Sequence, residues 1–208
     1  MKTTSQKSGS EWKGGFLFLG NQFALDFLNT RPVQNGQTVE LLPDFAALVR
    51  WFEAAGLLTC RNAAAMRQRW AETGRARRTL EAVLDLRERL RREVVAWESG
   101  AEIRGSMIDE LNRLMEEHPA LTKIKALGDT LARELWFRME EPEDLLGPIV
   151  YNAATLFTEG NRERVRKCGQ CVLHFQDTSK KGTRRWCSMQ LCGNRLKVAT
   201  YAARRRAR

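Results

Sequence analysis

Apolar residues recur at helical intervals over much of the chain. Phe45, Leu48, Val49 and Phe52 follow three- and four-residue steps behind Pro43-Asp44, where Asp44 can cap, and Gly56 stops the run; this predicts a helix. A second starts at the Thr59 cap and carries Ala63, Met66 and Trp70 to Thr73-Gly74. A long third runs from Arg75 to Glu98, with Leu80, Val83, Leu84, Leu90, Val94 and Trp97 on one face and Gly100 behind it. Ser106 is expected to cap a shorter helix holding Ile108, Leu111, Leu114 and Met115, closed by His118-Pro119. The period then changes. Residues 121–127 alternate and 134–139 are rich in aromatics, with Gly128-Asp129 between them, the pattern of a hairpin. Pro142 to Glu159 returns to helical spacing through Leu145, Leu146, Ile149, Val150 and Ala153, and Gly160 closes it. Short apolar runs at 16–19 and 37–41 are expected to be strands joining one small sheet.

These elements make residues 14–160 one α+β domain, mostly helical with a small sheet, long enough to bury a core. Residues 1–13 form a polar leader, expected to be disordered. Lys7, Glu11 and Lys13 interrupt it and no small-residue cleavage site follows, so it does not resemble a signal peptide. The longest charge-free run, Leu145 to Thr158, is too short to span a bilayer. A cytoplasmic protein with no membrane partner is expected, its thiols reduced.

Charge changes the picture at the C-terminal end. The chain carries a net +10, but residues 161–208 hold 14 Lys+Arg against 2 Asp+Glu, a net +12, which leaves 1–160 at −2. Such asymmetry points to a polyanionic partner, nucleic acid first and an anionic membrane surface second. The near-neutral 1–160, with its own helix stripes, is expected to fold independently of the basic quarter.

Four of the five cysteines lie in that quarter, as Cys168-x2-Cys171 and Cys187-x4-Cys192. Two close-spaced pairs about 15 residues apart suit one tetrahedral four-thiolate Zn2+ site, one ion per chain, with the intervening segment expected to form a hairpin. A segment this small has little core, so the metal supplies much of its folding free energy. A closed four-thiolate site leaves no open position for water or substrate, which argues against zinc-dependent hydrolysis. His174 competes as a ligand but is more simply a satisfied, partly exposed residue, and Cys60 a small buried one. Lys180, Lys181, Arg184 and Arg185 crowd a turn around Gly182, and Asn194 to Arg206 has helix-forming composition. Lys197, Tyr201, Arg204, Arg205 and Arg208 form its polar stripe. Phosphate contacts fit this surface, although a terminal charge run such as Arg204–Arg208 is as often a solvated tail.

Val165-Arg166-Lys167-Cys168, Phe175, Asp177-Thr178-Ser179-Lys180, Arg185-Trp186-Cys187-Ser188-Met189 and Cys192-Gly193-Asn194-Arg195 closely resemble the CGNR zinc finger family. Upstream, Ala24-Leu25-Asp26-Phe27-Leu28-Asn29-Thr30 and Leu42-Pro43-Asp44-Phe45 look like the ABATE domain, which precedes this finger in stress-induced transcription regulators of bacteria. The resemblance implies a bacterial DNA-binding regulator with zinc on Cys168, Cys171, Cys187 and Cys192. It also implies a small treble-clef or ribbon-like finger over 161–208 ending in a basic helix. Asn194 and Arg195 open that helix beside the second cysteine pair. Arg195 is a candidate either for reading a base edge or for bonding back to the metal turn. Asp177 and Ser179 suit side-chain-to-backbone bonds within the hairpin.

Three readings follow. The first is a transcription regulator in which the finger binds duplex DNA and residues 14–160 sense a small-molecule effector or form a homodimer. The second is an RNA- or ribosome-associated zinc module, or an interaction protein that binds no nucleic acid. The third, an enzyme, finds no phosphate loop, no dinucleotide-binding glycine pattern and no H-E-x-x-H motif, and only His118 and His174 are available to a triad; a non-enzyme is expected. Asp26, Asn29 and Arg31 could line an effector pocket or simply satisfy the end of a local element.

Overall fold

A computed structural model describes residues 11–34 and 37–194. Two short strands, β1 (Trp12–Lys13) and β2 (Phe16–Leu17), pair antiparallel and lead into helix α1 (Phe23–Leu28). A second ribbon, β3 (Val33–Gln34) with β4 (Gln37–Thr38), precedes helices α2 (Phe45–Ala54), α3 (Cys60–Trp70), α4 (Gly74–Glu98) and α5 (Gly105–Glu117). The hairpin β5 (Leu121–Leu127) and β6 (Thr130–Trp136) follows, then a 3-10 turn at Pro142–Leu145 that runs into α6 (Leu146–Glu159). After a second 3-10 turn at Arg162–Arg164 come β7 (Val165–Lys167), β8 (His174–Gln176) and a π-helical turn, Met189–Gly193.

The helix starts follow side-chain chemistry. Asp44 Oδ1 accepts from Ala47 N at 2.6 Å, Thr59 from Asn62 N at 3.2 Å and Thr73 from Ala76 N at 3.1 Å. Three expectations are corrected. Helix α5 starts from Arg104 with no side-chain cap, and Ser106 lies inside it. The second strand of the hairpin is Thr130–Trp136, because the tight turn at Gly128 (φ +59°) lets the pairing resume at once, Leu127 opposite Thr130. Instead of one small sheet, the described residues form four separate two-stranded ribbons, in which 16–17 and 37–38 each pair with a neighbour in sequence. The leader also ends early: Glu11 O accepts from Phe18 N at 3.0 Å and β1 is already paired, while residues 1–10 lie outside those described.

Helix α1 organises the core. Ala24, Leu25, Asp26, Phe27 and Leu28 are all buried, because α4 and α6 pack on one side and β8 on the other. Trp51 of α2 is fully buried among Phe18, Phe23, Phe27 and Phe52, with ring centroids 4.9–6.3 Å away. Arg87 of α4 is buried too. It forms a double ion pair with Glu40 and donates to Thr30 Oγ1 at 2.8 Å, which ties the 30–42 loop to the helix.

The junction near residue 160 is not a linker between independent bodies. Val165 belongs to the helical core, and Leu17 and Leu19 belong to a second cluster with Leu173, Phe175, Cys168, Cys187 and Cys192. Gly20 O accepts from Gln176 N at 2.8 Å, and Gly20 itself is caged: a Cβ there would stand 2.7 Å from Leu25 Cβ and 2.8 Å from Asp26 N. Asn29, fully buried, accepts from His174 N at 2.9 Å and donates to His174 O at 2.8 Å. One side chain thus does for β8 what another strand would do. This shared core argues against the expectation that 1–160 folds without the basic quarter.

Asn29→Ala leaves both backbone groups of His174 buried without partners, so it should cost about 2–4 kcal/mol. Hydrogen exchange at the His174 amide should rise by more than exchange in α2. Unchanged protection at His174 would show that Asn29 is dispensable.

Candidate metal centre and basic turn

Cys168 follows directly on β7, and its N–H donates to Leu173 O at 2.8 Å, closing the first cysteine turn between the two paired strands. Cys192 lies in the π-helical turn, which Ser188 starts by accepting from Gln190 N and Leu191 N at 3.0 and 3.1 Å. Trp186 crosses between the two turns, its ring above Gly169, while Gly169 N donates to Arg185 O at 3.0 Å. The pairing therefore flanks the first cysteine pair. The segment between the pairs, expected to be a hairpin, is a loop held by side chains.

The four sulfurs lie within 4.8 Å of one another, and Cys187 Sγ is 3.6 Å from both Cys171 Sγ and Cys192 Sγ. A tetrahedron of zinc–sulfur bonds of 2.3 Å separates its sulfurs by about 3.8 Å, so the donor set fits one Zn2+. The electrostatics agree. Without a cation the cluster supports a single thiolate: hydrogen bonds from Cys171 and Cys187 hold Cys168 far below the ordinary thiol range. The bond to Cys168 pushes Cys171 up to about 12, the same contacts raise Cys187, and burial raises Cys192. A divalent cation at the centre reverses that repulsion and makes thiolate the favoured form of all four.

The turn beyond β8 is built by buried and half-buried groups that present exposed ones. Asp177, fully buried, accepts from Ser179 N at 2.9 Å and Arg184 N at 2.7 Å, the local bonds expected of it. Arg164 donates to Asp177 O and Ser179 O at 3.1 and 2.8 Å, and Arg166 to Gly182 O at 2.9 Å. Gly182 has φ +61°, and a Cβ there would press on the Arg164 guanidinium at 3.3 Å. Lys180, Lys181 and Arg185 remain exposed on this braced turn. Arg184 does not join them: its guanidinium donates to Trp186 O at 2.7 Å and to Cys187 O and lies over the Phe175 ring. Asn194 is exposed at the end of the π-helical turn, and Arg195, Lys197, Arg204 and Arg205 lie outside the described residues.

With this geometry established, the chain can be compared with known families. A family model described as "putative stress-induced transcription regulator", the ABATE domain, matches residues 21–160. The chain belongs to this family. A second model, the CGNR zinc finger, matches residues 164–205 and contains all four cysteines. A search of curated proteins found no match to the chain.

Within the ABATE domain, Asp26, Asn29 and Arg31 face three different partners. Asp26 Oδ1 accepts from Gly20 N at 2.7 Å, Asn29 bonds His174 of the CGNR finger, and Arg31 lies 3.3 Å from Glu88. None of the three lines the cavity beside Phe137 or the one beside Phe45. His174 is buried rather than partly exposed, its Nδ1 3.3 Å from Glu98 Oε2, and it stands outside the sulfur cluster. Cys60 is exposed rather than buried, since it begins α3 on the side away from the core. Residue patterns missed Arg164 and Arg166, which look like generic basic charge, and Leu17 and Leu19, whose finger contacts span some 150 positions and leave no local signal.

Two outcomes follow. One Zn2+ should bind per chain and be lost in Cys168→Ser and Cys187→Ser, by metal analysis. Because Leu17 and Leu19 share the metal-side core, chelation should lower the thermal transition of the whole chain; a helical transition that ignores chelator would contradict the shared core. The second outcome concerns Asp26, whose carboxyl burial pushes up to about 7 against the pull of the Gly20 and Leu19 N–H groups and Lys13. The folded state then binds a proton that the unfolded chain releases near pH 4, so this contribution to stability is full below pH 4 and is lost as pH rises to 7. The loss is on the order of a few kcal/mol. Asp26→Asn should therefore gain stability over the parent chain as pH rises from 5 to 8 in urea titrations, and a pH-independent difference would refute the assignment.

Proposed function

We propose that this ABATE-family protein is a transcription regulator that binds duplex DNA through its zinc-anchored basic turn. The observation that carries the reading is the presentation of Lys180, Lys181 and Arg185 on a turn whose other cations, Arg164, Arg166 and Arg184, are spent on bracing it. Fixed ammonium groups next to a rigid metal centre contact phosphates without first ordering a loop, which favours affinity. The family description as a transcription regulator supports the reading. The helical lobe acts as the regulatory part, sensing a small molecule or pairing with a second copy. A closed four-thiolate site and the family assignment support a non-enzymatic role in the cytoplasm. No helix among the described residues is long and apolar enough to cross a membrane.

Anisotropy with labelled duplex DNA, duplex RNA and single strands tests this. The zinc-loaded chain should prefer duplex DNA. Lys180→Ala and Lys181→Ala should each lower the salt slope by about one, weakening all sequences alike. Tighter binding to RNA, or unchanged slopes in both variants, would overturn the reading.

A further inference from the structure

Where the exposed hairpin joins the helices, a cavity of about 150 Å3 opens between the end of α5, the base of β5 and β6 and the start of α6. A cavity of this size holds a benzene-sized molecule. Pro119, Leu121 and Phe137 supply its apolar wall, and Phe137 is fixed edge-on against Tyr151 with ring centroids 5.7 Å apart. The remaining lining is charged, and the partners of those charges decide the sign of the ligand. Asp144 Oδ2 is already used by Glu140 N and Glu141 N, both at 2.9 Å. Glu117 is paired with Arg113 at 2.6 Å. Glu143, next to the lining and close enough for its carboxylate to feel His118, is bonded to Arg75 at 2.8 Å. The two bases are different. Arg138 has no ion pair and the His118 ring has no hydrogen bond among the described residues, yet both face the cavity. The lining carboxylates thus already have partners, while the two bases, a planar guanidinium and an imidazole beside an aromatic ring, have none among the described residues.

We propose that this cavity binds a small aromatic monocarboxylate of about benzoate size, its carboxylate on Arg138 and His118 and its ring against Phe137, Pro119 and Leu121. A forked guanidinium matches a carboxylate in two parallel hydrogen bonds, and the apolar wall receives the ring. The bound molecule would touch the hairpin and two helices at once, which makes it the effector of the sensory role given to the helical lobe; the assignment of that role rests on the preceding section.

The test is calorimetric titration of the zinc-loaded full chain, without DNA, with benzoate, benzyl alcohol and benzylamine. Benzoate should bind, and the neutral and cationic analogues should not. Arg138 is exposed and unpaired, so Arg138→Gln should fold as the parent does and weaken benzoate by about tenfold or more, the worth of a charge-assisted bond. Arg138→Lys, which keeps the charge without the fork, should recover part of that loss. Undetectable benzoate binding at millimolar concentration, equal binding of benzyl alcohol, or full affinity in Arg138→Gln would each overturn the proposal. A finger that fails to bind duplexes leaves this result untouched. Benzoate that binds without changing duplex affinity would confirm the site and remove only its sensory role.

Discussion

Helix α1 leaves almost no face for solvent, and that constraint shapes both halves of the molecule. Five of its six residues, Ala24 to Leu28, are buried, and the helical lobe covers only part of them. The remainder is closed by β8 of the finger, whose edge backbone is then satisfied by Asn29 at the end of the same helix. Removing the finger would expose apolar side chains and unpair backbone groups together, so the two costs cannot be separated. The metal enters the same account. Leu17 and Leu19, which lead into α1, pack on the cysteine cluster, and the sulfurs need a cation to hold their charge. Metal binding is thereby linked to the order of a segment 150 residues upstream.

This burial also explains what could be read in the chain. The amphipathic helices were legible because one face of each meets water: α2, α3 and α4 show their stripes in the sequence, and α2 and α3 also their Asp44 and Thr59 caps. Helix α1 shows no period because every position is apolar or buried, and six residues are too few to distinguish a buried helix from a strand. The strand at 16–17 was visible, but its partner was not, since a two-residue ribbon carries no alternation to count. The four ligands were the most legible feature of all, because their spacing is fixed by metal geometry rather than by tertiary contacts. The roles of the arginines were not. Arg184 and Lys181 look alike in a charge count, and only the carbonyls of Trp186 and Cys187 separate a brace from a free cation.

The distinction between bracing and free charge matters for the chemistry of the turn. Arginine suits the first role, since its planar fork meets two carbonyls at fixed angles, as Arg164 does at Asp177 O and Ser179 O. Lysine suits the second. Its compact, strongly hydrated ammonium meets a phosphate as a point charge and carries no geometric demand, which gives affinity with little sequence preference. The turn thus separates bracing cations, Arg164, Arg166 and Arg184, from the exposed Lys180, Lys181 and Arg185 among residues of one sign.

Helix α4 makes the longest continuous connection between the helical core and the finger. Helix α4 is 25 residues long, a rod of roughly 37 Å. Its middle is fixed by buried Arg87 on Glu40, and its last turns by Glu93, which holds the Arg104 loop through a side-chain ion pair. Its final residue, Glu98, accepts the Lys167 N–H one position before the first metal ligand and lies against His174 with its other oxygen. A rigid rod cannot bend to absorb a displacement at one end, because bending would break several backbone hydrogen bonds at once. A shift of α4 against α5 must therefore either carry β7 and the Cys168 turn with it or break the Glu98 contact. The Asn29 bond to His174 opposes the second route from the opposite side of β8. The two anchors have different chemistry, one a carboxylate on a backbone amide and the other a neutral amide pair. Any displacement of α4 would therefore reach the finger first at the strand that leads into Cys168.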